Sequence, residues 1–569
     1  MTFLEKLATT INMKKDVTHF LQPPLISNSP FVVGDNQLII CNGVNPSYEL
    51  GVLIKDLGYS QIGETLEASK PIRSLFDFRQ TPGTAKILAT VDDATSDDTQ
   101  LFYFIGSAVS TTTDASSASG QKVVNVTSTV GFTAGDTIIL AKGTANEETK
   151  IIDTIQAGIS LTTTVNLTNT HASGVAVAKH WTEITGAETA WANEATNDVE
   201  MESFITYCFF VGYSSTDGFL PVRSLTGTTI GTTNTTSMPG AKYIKRYRDR
   251  LYLGNCDISG TRYPYRVYFS SVPSGSTITW TVASDFIDVD FSEEITGLAE
   301  NWDRLIIFTE FRAYMYDQVS KKKVWDVGCA GHRTIQNIGS KMIFANKDNV
   351  YLSNGSEPVP IGSPILELIR NSSTSNWKSA VVDNEYYLYL GGSVSAGGQS
   401  YSNLLAVYNT DTNMWRWREL YDNVSSICRW TNSGNDFLLL GMADGEVMIK
   451  SKYSDATPVY GDDGQPVLAH WRTKAYDLGD ASVLKKIKAV TAYTEFGNGM
   501  TIRYRIYDKN REVLMPFNDI GSLSKVINVF DEFKKLEGNF IQFEGKEFST
   551  RKAFRFFGFT FEYEGGLAV

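Results

Sequence analysis

One recurring pattern limits what this chain can fold into. Between about residues 70 and 455, short runs of alternating apolar and polar residues return again and again, each closed by a turn. An apolar run leads to a turn, then to a second run rich in aromatics, then to a polar turn with Gly or Asn. A short run with Trp or Val often follows. "KILATVDDATSDDTQLFYFIG" is one copy, "SFITYCFFVGYSSTDGFLPVRSLTG" another, and "YIKRYRDRLYLGN" with "YRVYFSSVPSGSTITWTVA" a third; about seven units can be counted. Alternation with period two marks half-buried strands, so each unit reads as a three- or four-stranded antiparallel meander. A lone meander cannot bury both faces. Radial repetition around an axis does so and leaves only short, protected edges. The pattern predicts an all-β protein built around a β-propeller of about seven blades; a pair of β-sandwiches is the alternative.

The 27 Tyr and 31 Phe suit pleated, half-buried surfaces, and the 46 Gly supply turns. At 569 residues the chain is too long for one core. Residues 1–35 read as an N-terminal segment, 36–109 and 181–455 as the propeller, 110–180 as a small inserted β domain, and 456–569 as a C-terminal β-sandwich. The insert is rich in Thr, Ser, Val and Ala and nearly free of aromatics. The blade resumes at "HWTEITG", with Trp181 expected on its outer strand; insertions survive where their ends meet on an exposed turn. After about residue 465 the alternating strands lengthen. Helix is expected only near the N-terminus and in "SPILELIRNSS".

The net charge of −12 is a poor footprint for gripping DNA or an anionic membrane. It suits a surface that stays soluble or does not stick to DNA. Cys41, Cys208, Cys256, Cys329 and Cys428 are scattered, odd in number and set in apolar runs, which predicts reduced, mostly buried thiols and assembly in a cytoplasm. No long apolar leader opens the sequence, and no run approaches the ~18 apolar residues of a membrane-spanning helix.

No site chemistry stands out. His19, His171, His180, His332 and His470 lack zinc-site spacing, and neither a nucleophile elbow nor a phosphate loop is present. Asp92, Asp93, Asp97 and Asp98, and Asp462 with Asp463, lack a calcium-loop pattern and read as solvated hairpin turns. "DFIDVDFSEE" places Asp285, Asp288 and Asp290 near Glu293 and Glu294. Alternation would put Asp288 and Asp290 on one strand face, which is compatible with the acid/base pair of a propeller glycosidase, an activity that also needs a substrate cleft. Lys321, Lys322 and Lys323 read as a loop tip. Trp415, Trp417 and Trp430 read as core or as a sugar platform. The candidate interaction patch is Lys242, Lys245, Arg246, Arg248 and Arg250, interleaved with Tyr243 and Tyr247, a mixture used in nucleic-acid or glycan contacts. No catalytic residue, metal or cofactor is expected.

The succession "YRDRLYLGN", "RVYFSS", "LAENWDRLIIFTEFRAYMY", "VGCAGHRTI" and "NVYLSNG" resembles the propeller core of tail nozzle or hub proteins of short-tailed bacteriophages. That family is also known as tail tubular protein B or packaged-DNA stabilisation proteins. "GVLIKDLGYSQIG" with "PIRSLFDF" is similar to the lead-in to that core. The insert, with "VGFTAGDTIIL", resembles small β modules of virion proteins. The resemblance spans about residues 36–455. It implies a non-enzymatic virion tail component, assembled in the host bacterial cytoplasm as a homo-oligomeric, usually hexameric, ring. Portal and adaptor proteins would lie above it and tail fibres or tailspikes at its periphery. The ring would continue the DNA channel, retain the packaged genome and pass double-stranded DNA during ejection. A carbohydrate-binding or glycan-hydrolysing propeller for receptor recognition is the alternative function.

Overall fold

The computed structural model describes residues 11–565, apart from 19–23, 27–28, 32–36, 50–51, 82–83, 94–95, 107–108, 143, 195–197, 496–498, 524–526, 532–536 and 550–553. The chain is all-β. Its helical elements are short, and one of them, Leu366–Asn371, falls in "SPILELIRNSS". The helix expected near the N-terminus is replaced, where it is described, by a strand. Ile11–Thr18 pairs antiparallel with Arg555–Gly565 along its whole length. A sheet edge offers a row of backbone partners, and tertiary pairing of that kind overrides weak local propensity.

Seven antiparallel sheets follow one another in chain order. Their first strands are Ile72–Thr81, Asp198–Phe204, Gly240–Tyr247, Ile295–Asn301, Gln336–Ile338, Lys378–Val382 and Val424–Asn432. Each first strand lies against the next; the fourth meets the turn His332–Thr334 that leads into the fifth, and the seventh returns to the first. Alternation gives each sheet two apolar faces, one for each neighbour. In the fourth sheet Leu305 and Ile307 pack with Tyr252 and Val267 of the third. Ile306 and Phe308 point the other way, to Met342 and Phe344 of the fifth. The cycle closes where Phe104 of the first sheet and Trp181 beside it meet Trp430 and Leu439 of the seventh. The seventh sheet takes its last strand from far upstream, because Tyr59–Gln61 pairs with Val447–Lys450.

Residues 110–180 leave the first sheet between its strands Thr99–Ile105 and Thr182–Glu183. They form a separate six-stranded sheet with its own core around Val124, Ile138 and Leu161. The sixth sheet does not end at its fourth strand, Met414–Glu419. It continues through Leu38–Asn42 into Gln465–Tyr476, Phe540–Ser549, Thr501–Tyr507 and Val513–Ser522. A second sheet, built on Lys485–Glu495 and Arg555–Gly565, is packed against it through Trp471, Phe543, Phe559 and Phe561. That core is continuous with Ile343, Leu388 and Trp415 of the fifth and sixth sheets.

The segment from residue 38 to 61 therefore threads three sheets in succession. Leu38–Asn42 pairs with Gln465–Tyr476, Leu53–Lys55 with Arg555–Gly565, and Tyr59–Gln61 with the seventh sheet. The fit is tight: a Cβ on Gly58 would sit 1.9 Å from the Gly461 carbonyl oxygen, so only glycine passes here. Buried charges surround this thread. Arg418 Nη2 donates to both carboxylate oxygens of Asp462 at 2.6 and 2.7 Å. Arg416 donates to Glu385 at 2.6 and 2.7 Å, and Lys55 to Glu547 at 2.5 Å. Asp56 lies 3.7 Å from Arg416 and 3.6 Å from Lys450. Burial opposes its ionisation, but Lys450, Arg416 and Arg418 prevail and hold its carboxyl below the usual range. Asp462, expected in a solvated turn, is thus a buried ion-pair partner, because the turn it occupies is covered by Arg418.

Removing one member of a buried pair strands its partner's charge, which costs about 3–5 kcal/mol, whereas removing both is far milder. Arg418→Met should therefore lower the thermal midpoint sharply, and Arg418→Met with Asp462→Leu should recover most of the loss. Differential scanning calorimetry of the two variants checks this.

Candidate functional site

Each cation of the candidate basic patch has a partner among its neighbours. Lys242 reaches Glu294 at 3.1 Å and covers the Tyr213 ring at 4.3 Å. Lys245 donates to Glu202 at 2.9 Å. Arg246 lies over Phe204, and Arg248 Nε donates to Asp303 at 2.7 Å across a turn whose φ of 50° is left-handed. Arg250 donates to the Ser270 carbonyl at 2.8 Å and covers Phe269. These contacts knit the third sheet to the second and fourth.

The acidic candidates are committed in the same way. Asp288 accepts from Arg266 Nε and Nη2 at 2.5 and 2.8 Å. Asp290 lies beyond the strand Phe286–Asp288, so the two carboxylates do not share a strand face; it accepts from Ser292 instead. Asp285 accepts from Ser284, Glu293 holds Arg312, and Glu294 holds Lys242 and Arg262. Asp92 pairs with Arg73 at 2.7 Å, and Asp93 and Asp98 accept from backbone amides of turns. Lys321, Lys322 and Lys323 lie on a strand, Lys321–Trp325, rather than at a loop tip, since that run supplies the fourth sheet's last edge. Trp415, Trp417 and Trp430 are buried in cores. All five cysteines are free, and only Cys428 is partly exposed.

His19 lies outside the described residues. His171 and His470 contact Glu148 and Glu544 at 2.6 and 3.1 Å, and burial takes His180 down to about 4. His332 lines a place where, among the described residues, many sheets bring polar groups together. A cavity of about 330 Å³ lies at the centre of the ring. Every sheet contributes to it: Ser74, Glu200, Lys245, Glu300, Gln336, Lys378 and Ser426, in ring order. Of these, only Lys245 was singled out in sequence, as part of the basic patch. Their only signal is a polar residue in the opening strand of each meander, as in "VEMESF" and "WKSAVV".

Within the cavity Arg333 Nε donates to Glu200 at 2.7 Å, and Nη2 donates to the Val199 carbonyl at 3.1 Å. Glu202 favours the charged form of Lys245, while burial disfavours that of His332. Lys378 donates to the Asn376 carbonyl at 3.3 Å and, among the described residues, forms no ion pair. Burial first, then the charge of Arg333, pushes it down to about 8.

A second cavity of about 420 Å³ lies between the sixth and seventh sheets and the N-terminal thread. Tyr48 and Tyr453 stack at its wall with centroids 4.1 Å apart, and Asn409, Asp383 and Lys452 stand beside them. Tyr48 is 59% exposed.

No family model matches this chain, and no curated protein matches it. Among solved structures it is similar to a phage phi92 endosialidase, with a TM-score of 0.24 and 8% identity. That alignment covers 68% of this chain and 64% of the other, so the chain spans under two thirds of that structure's length.

The amine of Lys378 should be neutral in about half the molecules near pH 8, against a usual lysine midpoint of about 10.4. The sign follows from its surroundings: burial and a cationic neighbour both favour the uncharged form. Its acylation rate, followed by peptide mass spectrometry across pH, should therefore have a midpoint near 8. A midpoint above 10 would contradict the environment described.

Proposed function

We propose that the chain is a structural, non-enzymatic subunit of a bacteriophage tail. In this reading the seven-sheet cycle is a seven-bladed β-propeller, closed by Tyr59–Gln61, with an inserted β domain and a C-terminal β-sandwich fused to the sixth blade. Subunits assemble into a nozzle or hub ring below the portal and adaptor, retain the genome and pass it during ejection. The observation that carries the reading is the position of the motifs that resemble the nozzle family. "YRDRLYLGN", "LAENWDRLIIFTEFRAYMY" and "NVYLSNG" each fall on a hairpin or strand of the ring, in consecutive sheets. The carboxylates of "DFIDVDFSEE" favour structure over hydrolysis, because Asp288, Glu293 and Glu294 are each held by arginine or lysine. Purified protein imaged by negative-stain electron microscopy should form rings with a central channel, of one subunit number, alone or with adaptor protein. A strictly monomeric particle under both conditions sinks the nozzle reading.

One observation favours the second reading, a carbohydrate-binding module. The exposed Tyr48 ring is backed by Tyr453 and flanked by amide, carboxylate and ammonium groups, which is how many sugar sites pair a stacking face with polar rims. If glycans bind there, Tyr48→Ala should weaken binding on a glycan array by about ten-fold or more while leaving the thermal midpoint unchanged. Equal binding by variant and parent dismisses the site.

A further inference from the structure

The cavity beside the Tyr48–Tyr453 stack is electrically balanced. Asp383, Glu385, Lys450 and Lys452 line it. Lys452 lies 3.1 Å from Asp383. Glu385 accepts from Arg416 at 2.6 and 2.7 Å. Lys450 donates to the Tyr387 hydroxyl at 3.0 Å and lies 3.6 Å from Asp56 and 4.0 Å from Glu385. With the partners Arg416 and Asp56 included, three cations stand against three carboxylates. Burial opposes ionisation of Glu385, but Arg416 and Lys450 prevail and take its carboxyl down to about 2. Among the described residues, no charge lining this cavity is left over for a ligand to neutralise.

The same cavity has an apolar floor and a polar rim. Leu57, Val382 and Leu438 are buried in its wall, and the Tyr48 ring is exposed at its edge. The Asp383 side chain is 61% exposed at the rim. Asp383 and Asn384 form the turn between Lys378–Val382 and Glu385–Ala396, with φ of 49° and 61°. Left-handed φ at both central positions marks a tight hairpin turn, which holds the carboxylate in place. A carboxylate has about four acceptor sites, so Asp383 can serve Lys452 and still accept from two hydroxyls. An acidic ligand that reached Lys452 would meet Asp383 beside it, and a cationic ligand that reached Asp383 would meet Lys452. Either would have to split a pair or leave its own charge unpaired in a half-enclosed site. An uncharged ligand with a C–H face and neighbouring hydroxyls meets neither penalty, because the face can lie on Tyr48 and the hydroxyls can donate to Asp383.

Resting on the reading that glycans bind beside Tyr48, we propose that this cavity takes an uncharged sugar residue with neighbouring hydroxyls and discriminates against acidic sugars. Tyr48 supplies the stacking face, Asp383 accepts from the hydroxyl pair, and Lys452 keeps that carboxylate ionised and in place. The volume of about 420 Å³ suits a small ligand or the end of a longer glycan. Bound there, the sugar would touch the N-terminal thread and the sixth and seventh sheets together.

The test is a glycan array carrying neutral, sialylated and uronic-acid-bearing glycans, probed with the full chain, Tyr48→Ala and Asp383→Asn. Signals lost in Tyr48→Ala should lie on neutral glycans. The strongest of these, titrated by calorimetry, should keep its affinity within about two-fold between about 50 and 500 mM NaCl, since no ion pair forms on binding. Asp383→Asn separates the cases by sign. Asparagine tolerates the left-handed turn, so the variant should fold. It should bind a neutral glycan about ten-fold more weakly, having lost the carboxylate acceptor, whereas it would bind an acidic glycan more tightly, having lost a repelling charge. Signals lost in Tyr48→Ala that are as strong or stronger on acidic glycans overturn the discrimination while leaving the glycan site standing. Tighter binding by Asp383→Asn, or an affinity that falls about ten-fold or more with salt, does the same. If no signal on any glycan depends on Tyr48, the glycan site itself fails, and its specificity with it.

Discussion

The rest of the structure depends on the buried ion pairs around residues 55 to 62. Asp56 and Lys55 arrive from the N-terminal thread, Arg416 and Arg418 from the sixth sheet, Asp462 from the connection beyond the seventh, and Glu547 from the C-terminal strands. Six charges from four distant parts of the chain meet beside the strand Tyr59–Gln61, whose backbone pairing completes the seventh sheet. Buried ion pairs contribute little net stability against an apolar equivalent, but a mispaired charge there is severely unfavourable. The cluster thus acts chiefly as a register lock. Only one threading brings each carboxylate to its own cation, and Gly58 against Gly461 leaves no room for a shifted one.

This lock explains why the C-terminal strands and the ring share one core. Leu38–Asn42 stands between Met414–Glu419 and Gln465–Tyr476, so a single inserted strand turns the edge of the sixth sheet into the middle of a larger one. An exposed edge of the sixth sheet would invite pairing with other chains. Covering it by a strand of the same chain removes that hazard and fixes the C-terminal sheets relative to the ring.

The all-β class was legible because alternation reports strand faces directly, as Leu305 to Phe308 show by packing alternately to either side. Long-range pairing is a different matter. Nothing near "YSQ" in the sequence says that Tyr59–Gln61 will complete a sheet whose other strands begin at Val424. For the same reason Asp462 read as a turn acid, since its partner Arg418 lies 44 residues away. The N-terminal strand and the lysine run at Lys321–Trp325 read wrongly for a simpler cause: edge strands are set by what they pair with, and their own composition is permissive. The central cavity was the least legible feature. It takes one residue from each of several meanders, and a lone Lys or Ser in an opening strand carries no local mark.

The fate of the cations bears on surface charge. Arg416, Arg418, Lys55 and Arg333 are each neutralised by a specific carboxylate. The strand from Lys242 to Arg250 is bound to neighbouring sheets by Glu294, Glu202 and Asp303. Each such pair removes one acid and one base, so the excess of 63 acidic over 51 basic residues is left for the remaining surface. A basic face able to hold phosphates cannot be assembled from cations already engaged in this way. In a ring of identical subunits the surplus would repeat around the axis, and a single-sign wall in a narrow conduit concentrates its field. If the proposed ring forms and this surplus faces its conduit, duplex DNA would be repelled from the wall. Retention of a genome would then have to be steric, through loops that narrow the passage, and not electrostatic.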